Sequence, residues 1–365
     1  MSSTANADTG KTGEPIGAAA ATTSGGLAGR PVRACLFLEG QNTRSWGMHD
    51  EWWRWNVIVS IASGKGGTGK TTISAILARS LSSAGHDTLA VSLDPAHNLG
   101  DVLGHALDDK PKKVSDKLFA FEVDLDTHVR RFIDKKLDQM RPLYGHLQIF
   151  NADKFLKALE QSPGMEEFAL LEAIKEIGNF DQSYGAIVLD TPPTGMTLRL
   201  LTLPDLTLLW IDELMGLRKK ILERRAYLQH IEGSGKKIDY QDDPVMAELQ
   251  RYRCEIKDIK SFLHGEGASI LLVLQADKLS VKETERTIKK LSTYGYGVRA
   301  CLINKAPKKD PSKAYASSGL DDLMKAHGEI SWIELPDLGE KVSTPQGLNL
   351  LGKELINFLH IGDLK

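Results

Sequence analysis

A glycine-rich loop, SGKGGTGKTT at 63–72, sits between an apolar, β-branched run and a segment of helical periodicity. Few folds accommodate that order. NVIVSIAS before the loop reads as a buried strand, and TTISAILARSLSSAG after it places Ile73, Ile76, Leu77 and Leu81 at helical spacing before a stop at Gly85. Gly64, Gly69, Lys70 and Thr71 satisfy GxxxxGK[ST] in the strand–loop–helix context the motif requires. Glycines allow successive backbone N–H groups to turn inward around a triphosphate. Lys70 brings a positive charge to the β and γ phosphates, Thr71 offers a hydroxyl to Mg²⁺, and the helix N-terminus adds its dipole. Lys65, Gly66, Gly67, Thr68 and Thr72 complete the predicted nucleotide-binding set.

Similar apolar runs recur at TLAVSLD, LFAFEVD, AIVLD, SILLVLQA and RACLINK, with helical stretches between them. That alternation predicts an α/β fold: a doubly wound, mainly parallel sheet of P-loop NTPase type with an inserted helical subdomain. The insertions are expected at about 127–180 and 206–265. In the first, Val129, Phe132, Leu137 and Met140 share a face, and Pro163 and Gly164 precede a new acidic-started helix. In the second, two helices flank GSGKK at 233–237, and Val245, Leu249, Tyr252, Ile256, Ile259 and Leu263 recur at steps of three and four. Those stripes either face the α/β core or form a separate apolar groove.

Residues 1–54 read as a low-complexity tail with a Trp-rich lead-in, and 55–365 as the P-loop domain. Of the first 30 residues 21 are Ala, Gly, Ser or Thr, too small and polar to offset the entropy of ordering. Trp46, Trp52, Trp53 and Trp55 read either as packing at the domain edge or as a binding surface, with no functional account. The net charge is −2, from 46 Lys and Arg against 48 Asp and Glu, which gives no general attraction to nucleic acid. Cys35, Cys254 and Cys301 are far apart, forming neither a disulfide framework nor a CxxC knuckle, and suit a reducing, cytoplasmic setting.

Two carboxylates follow predicted strands, where an open α/β sheet presents its ligands: Asp94 begins DPAHN and Asp190 begins DTPPTG. Both residues can hold Mg²⁺ or orient an attacking water, and a lone Asp at such a place also reads as a helix cap. Lys65 is either a solvated charge or a cation that neutralises the γ-phosphate of a neighbouring subunit, which implies a dimer across the nucleotides. The guanine-reading NKxD pattern fails here. RACLINKAP has Asn304 and Lys305 but Pro307 where the Asp belongs, so ATP is the expected nucleotide; Asn304 reads alternatively as a turn residue.

From residue 56 onward the chain resembles the family of arsenical pump-driving (ArsA) and tail-anchored-protein-targeting ATPases. The resemblance is carried by GKGGTGKTT, DPAHNLGD, SPGMEE, DTPPTGMTLRLL, ADKLSVKETER and INK, in the family's order. It implies Lys65 as the signature lysine contacting nucleotide across the dimer, Asp94 as the residue that activates water, and Asp190 near the metal. It also implies Asp277 as an acidic nucleotide contact and Asn304 as the adenine-binding amide. The expected activity is ATP hydrolysis by a homodimeric switch whose closure controls a client, foremost the targeting of tail-anchored membrane proteins. Two alternatives stand beside it: the catalytic subunit of an arsenite or anion efflux pump, working with a membrane pore subunit, and a nucleotide-gated scaffold with slow hydrolysis. No zinc is expected, because no cysteine follows Cys301, and Met196 stands where family members usually carry His.

Overall fold

Each of the six apolar runs becomes a parallel strand in the computed structural model of this chain. They are β1 (Val57–Ser63), β2 (Thr88–Ser92), β4 (Leu118–Glu122), β5 (Ala186–Asp190), β6 (Ala268–Leu274) and β7 (Val298–Ala306). The residues described are 57–63, 66–140, 164–180, 183–231, 243–265, 267–306 and 311–337, with Gly352 and Leu355. The tail, the Trp cluster, Gly64, Lys65, Pro163, the GSGKK segment and Pro307 lie outside them.

Two strands were not anticipated. β3 (Lys112–Ser115) pairs antiparallel with β4 at one edge, and β8 (Ser331–Pro336) extends the other in parallel with β7. The sheet order is β3-β4-β2-β5-β1-β6-β7-β8. Along β2 the pleat sends Leu89 and Val91 to one face and Ala90 to the other. On the Ala90 face, α1 (Lys70–Ser83) and the short α2 (Leu99–Leu103) cover the sheet. The opposite face is covered by α3 (Leu125–Met140), α4 (Met165–Phe180), α5 (Thr194–Ile231), α6 (Pro244–His264), α7 (Lys278–Thr293), α8 (Pro311–Ser318) and α9 (Leu320–Ala326).

The helix that leads into the expected second insertion starts upstream of it. α5 starts at Thr194, ahead of 206, and runs unbroken for 38 residues, about 57 Å at 1.5 Å per residue. Of the α6 stripe, Ile256, Ile259 and Leu263 are core, Leu249 and Tyr252 are half-buried against it, and Val245 is exposed. α6 therefore faces the α/β core. Ion pairs fasten it along α5: Arg218 forks onto Asp243 at 3.0 and 2.7 Å, Arg253 meets Asp212 at 2.7 Å, and Lys260 meets Asp205 at 2.5 Å. Asp243 also caps α6 by accepting from the Met246 N–H.

Candidate functional site

The phosphate loop leaves β1 at the middle of the sheet, flanked by β5 and β6. Gly67 and Gly69 take φ of 76° and 98°, which only glycine adopts readily, so the chain turns tightly into α1. α1 begins at Lys70 with no side-chain cap and no acidic residue in its first turn. Its leading N–H groups and positive dipole end are thus left to an external anion. Lys70 is almost fully buried, and its Nζ lies 3.6 Å from Asp94 Oδ2.

Strand register brings the two predicted carboxylates together. Asp190 closes β5, aligned with Ile61 of β1 on one side and Ser92 of β2 on the other, and Asp94 follows two residues after Ser92. The Thr191 hydroxyl and N–H both donate to the Ile61 carbonyl, and Leu93 N–H donates to the Asp190 carbonyl, locking the two strand ends to β1 and β5. Asp190 is 1% exposed. Burial pushes its pKa up to about 6, against hydrogen bonds from the Thr71 and Ser74 hydroxyls and the attraction of Lys70. Ser74 Oγ donates to Oδ1 at 3.1 Å, while Oδ2 is buried without a hydrogen-bond partner. An orphaned carboxylate oxygen beside a threonine hydroxyl is a hard, anionic donor pair of the type Mg²⁺ takes.

The loop after β2 is shaped by short contacts. Asp94 Oδ1 accepts from Ala96 N–H at 3.1 Å. His97 adopts φ 49° and brings Nδ1 to 3.7 Å from Glu122 Oε2, whose Oε1 accepts the Gly100 N–H. Glu122 was missed by sequence reasoning, although its position at the end of LFAFE repeats the signal that singled out Asp94 and Asp190. Ser74 was missed as well; the legible clue is a hydroxyl one helical turn after Lys70.

The remaining predicted residues divide. Asn304, at the end of β7, reaches the loop, its Nδ2 donating to the Thr68 carbonyl at 2.7 Å. Asp277 accepts from the N–H groups of Leu279 and Ser280 and so caps α7. Met196, in the first turn of α5, packs against the core. Cys301 is a buried free thiol whose pKa burial pushes up to about 12, so it presents no thiolate.

From Asp190 the chain passes through Thr191, Pro192 and Pro193 directly into α5. Beyond Pro204 this helix exposes Leu206, Trp210, Leu214, Leu217, Ile221 and Leu228, a single face at helical spacing, with Trp210 73% exposed. Apolar residues so arranged on one helix form a contiguous patch, and such patches mark contact surfaces. Among the described residues no helix is long and apolar enough to cross a membrane.

A family model described as an anion-transporting ATPase matches residues 57–318, which include the loop, both carboxylates and α5. The chain belongs to the ArsA ATPase family. As an ArsA-type ATPase it is 35% identical, over 73% of its length, to a protein of Chlorobaculum tepidum carrying the name arsenical pump-driving ATPase, and spans 66% of that relative. It is 30% identical to arsenical pump-driving ATPase 2 of Aquifex aeolicus, covering 83% of this chain and 99% of the relative. The ATPase GET3 of Malassezia globosa is 29% identical, over 80% and 89% of the two chains.

Proposed function

We propose that this ArsA-type ATPase is a nucleotide-driven switch in which ATP draws two copies together and the exposed face of α5 holds an apolar segment of a membrane-protein client. The observation that carries the reading is the continuity of α5, which leaves the buried carboxylate strand at Thr194 and presents its apolar face further along the same helix. Any shift at the nucleotide site is thereby transmitted to the client face without an intervening loop.

At the phosphate site Lys70 and the open N-terminus of α1 neutralise the triphosphate. Asp94, beside Lys70, orients the attacking water and accepts its proton. Thr71 and Asp190 would hold Mg²⁺, which supplies charge neutralisation to the phosphates. Cytoplasmic residence and a short-lived stay at a membrane follow from delivering such a client.

The test is capture. Asp94→Asn protein loaded with ATP and Mg²⁺ is expected to retain a transmembrane segment of about 20 apolar residues. The same protein carrying Leu217→Ser and Ile221→Ser is expected to lose most of that retention. Equal retention by both removes the client face from α5. The alternative, an energising subunit for arsenite or anion export, is favoured by the family description and by two of the relatives' names. Turnover that rises with arsenite would establish it, and turnover indifferent to arsenite removes it.

A further inference from the structure

Asn304 makes two hydrogen bonds with backbone groups. Its Nδ2 donates to the Thr68 carbonyl at 2.7 Å, and its Oδ1 accepts the Lys305 N–H at 2.9 Å, with Lys305 in the left-handed region at φ 55°. The contact is close on the other side too: a Cβ on Gly69 would lie 2.4 Å from Asn304 Nδ2. The space that glycine leaves open at 69 is filled by this amide. On the neighbouring strand, Gln275 at the end of β6 brings Nε2 to 3.5 Å from the Gly67 carbonyl. Two consecutive carbonyls of the phosphate loop are therefore held outward by amide donors from two adjacent strands.

A peptide unit is planar, with its C=O and N–H pointing opposite ways. Holding the carbonyls of Gly67 and Thr68 toward β6 and β7 thus turns the N–H groups of Thr68 and Gly69 into the concavity of the loop. A nest of inward N–H groups is what binds an anion, and left unbraced a glycine-rich loop samples many other conformations. We propose that Asn304, with Gln275 as its weaker partner, is a positioning residue of the phosphate loop, contributing to nucleotide affinity through the phosphates. The inference rests on the loop being the triphosphate site, and is a role separate from the adenine-reading one that the family resemblance implies for Asn304.

Inorganic tripolyphosphate separates the two roles because it carries no base. Calorimetric titrations with Mg²⁺ compare tripolyphosphate, ATP and GTP on full-length wild type, Asn304→Ala and Gln275→Ala, with thermal melts of each unliganded protein. Asn304→Ala is expected to weaken tripolyphosphate by a factor of about ten, the order expected for one lost backbone-directed hydrogen bond, and ATP by at least as much, any excess loss for ATP over tripolyphosphate and GTP measuring the base contact. Gln275→Ala is expected to weaken both phosphates about two- to threefold, matching its longer contact. Loss of ATP affinity with tripolyphosphate unchanged overturns the proposal. If Asn304→Ala does not fold, Gln275→Ala decides: undiminished tripolyphosphate affinity overturns it. A wild type that holds ATP but not tripolyphosphate places the affinity on the base and also overturns it, whereas a wild type that binds neither refutes the loop reading itself.

Discussion

Asp190 combines a structural cost with a functional use. Its folded pKa is raised to about 6 from 3.8, so between those values the folded state binds more protons than the unfolded, and stability falls as pH rises. At neutral pH the metal-free protein keeps a buried carboxylate with one oxygen unpartnered. Relative to Asp190→Asn, wild type free of nucleotide and metal should gain about 1–3 kcal/mol of unfolding free energy as pH drops from 7.5 to 4.5. Denaturant titration of both proteins across that range measures the difference, and a flat one refutes the assignment. Such residues were unevenly legible. Lys70, Thr71, Asp94 and Asp190 follow from motif and strand-end position, because loop chemistry and sheet topology fix where they go. Asp277 and Asn304 were legible in place but not in orientation: which backbone groups an amide or carboxylate meets depends on neighbouring strands that no local pattern encodes.

At the scale of elements, helix α5 carries a proline at 204 in its interior. Proline has no N–H to offer the carbonyl four residues back, and its ring crowds that turn. Beside this proline turn, Tyr296 donates its hydroxyl to the Leu201 carbonyl at 2.6 Å, and the His264 ring stacks on it with centroids 3.6 Å apart. Burial pushes the Tyr296 pKa up, so the hydroxyl keeps its proton to donate. Tyr296→Phe leaves the Leu201 carbonyl, next to the one that Pro204 cannot serve, without that donor, and should cost about 1–3 kcal/mol while speeding hydrogen exchange around 200–206. Exchange mass spectrometry of both proteins checks this; unchanged exchange there shows that the hydroxyl does not stabilise this turn. Six of the parallel strands were legible because they are continuous apolar runs, whereas the parallel edge strand β8, SWIELP, has a broken apolar pattern and was not. β3 was not, since Lys112 and Lys113 face solvent on a sheet edge and read as a loop. Nor was the start of α5: TPPTG at its head is turn sequence, and only packing on the sheet extends the helix back to Thr194.

For the whole molecule, the open N-terminus of α1 and the trans role expected of Lys65 predict assembly that depends on nucleotide. Sedimentation of wild type should show a monomer converting to a dimer with ATP and Mg²⁺, and Lys65→Ala should stay monomeric at the same concentration. A wild type indifferent to nucleotide would remove the paired-subunit reading. The division of labour across the sheet was partly legible: α1 and α2 cover one face, whereas the insertions and α7 to α9 crowd the other. What sequence alone left open was which insert helix remains uncovered, because both carry apolar stripes and only the three-dimensional packing of α6 on the core settles it. Because the uncovered one is a single long helix, geometry multiplies small motions. From Pro204 to Ile231 it extends about 40 Å, so a tilt of about 5° at the proline sweeps its far end through about 3–4 Å, the scale of a side-chain contact made or broken. In the proposed switch, a displacement too slight to disturb the phosphate loop would become, at the tip of this lever, the difference between gripping and releasing.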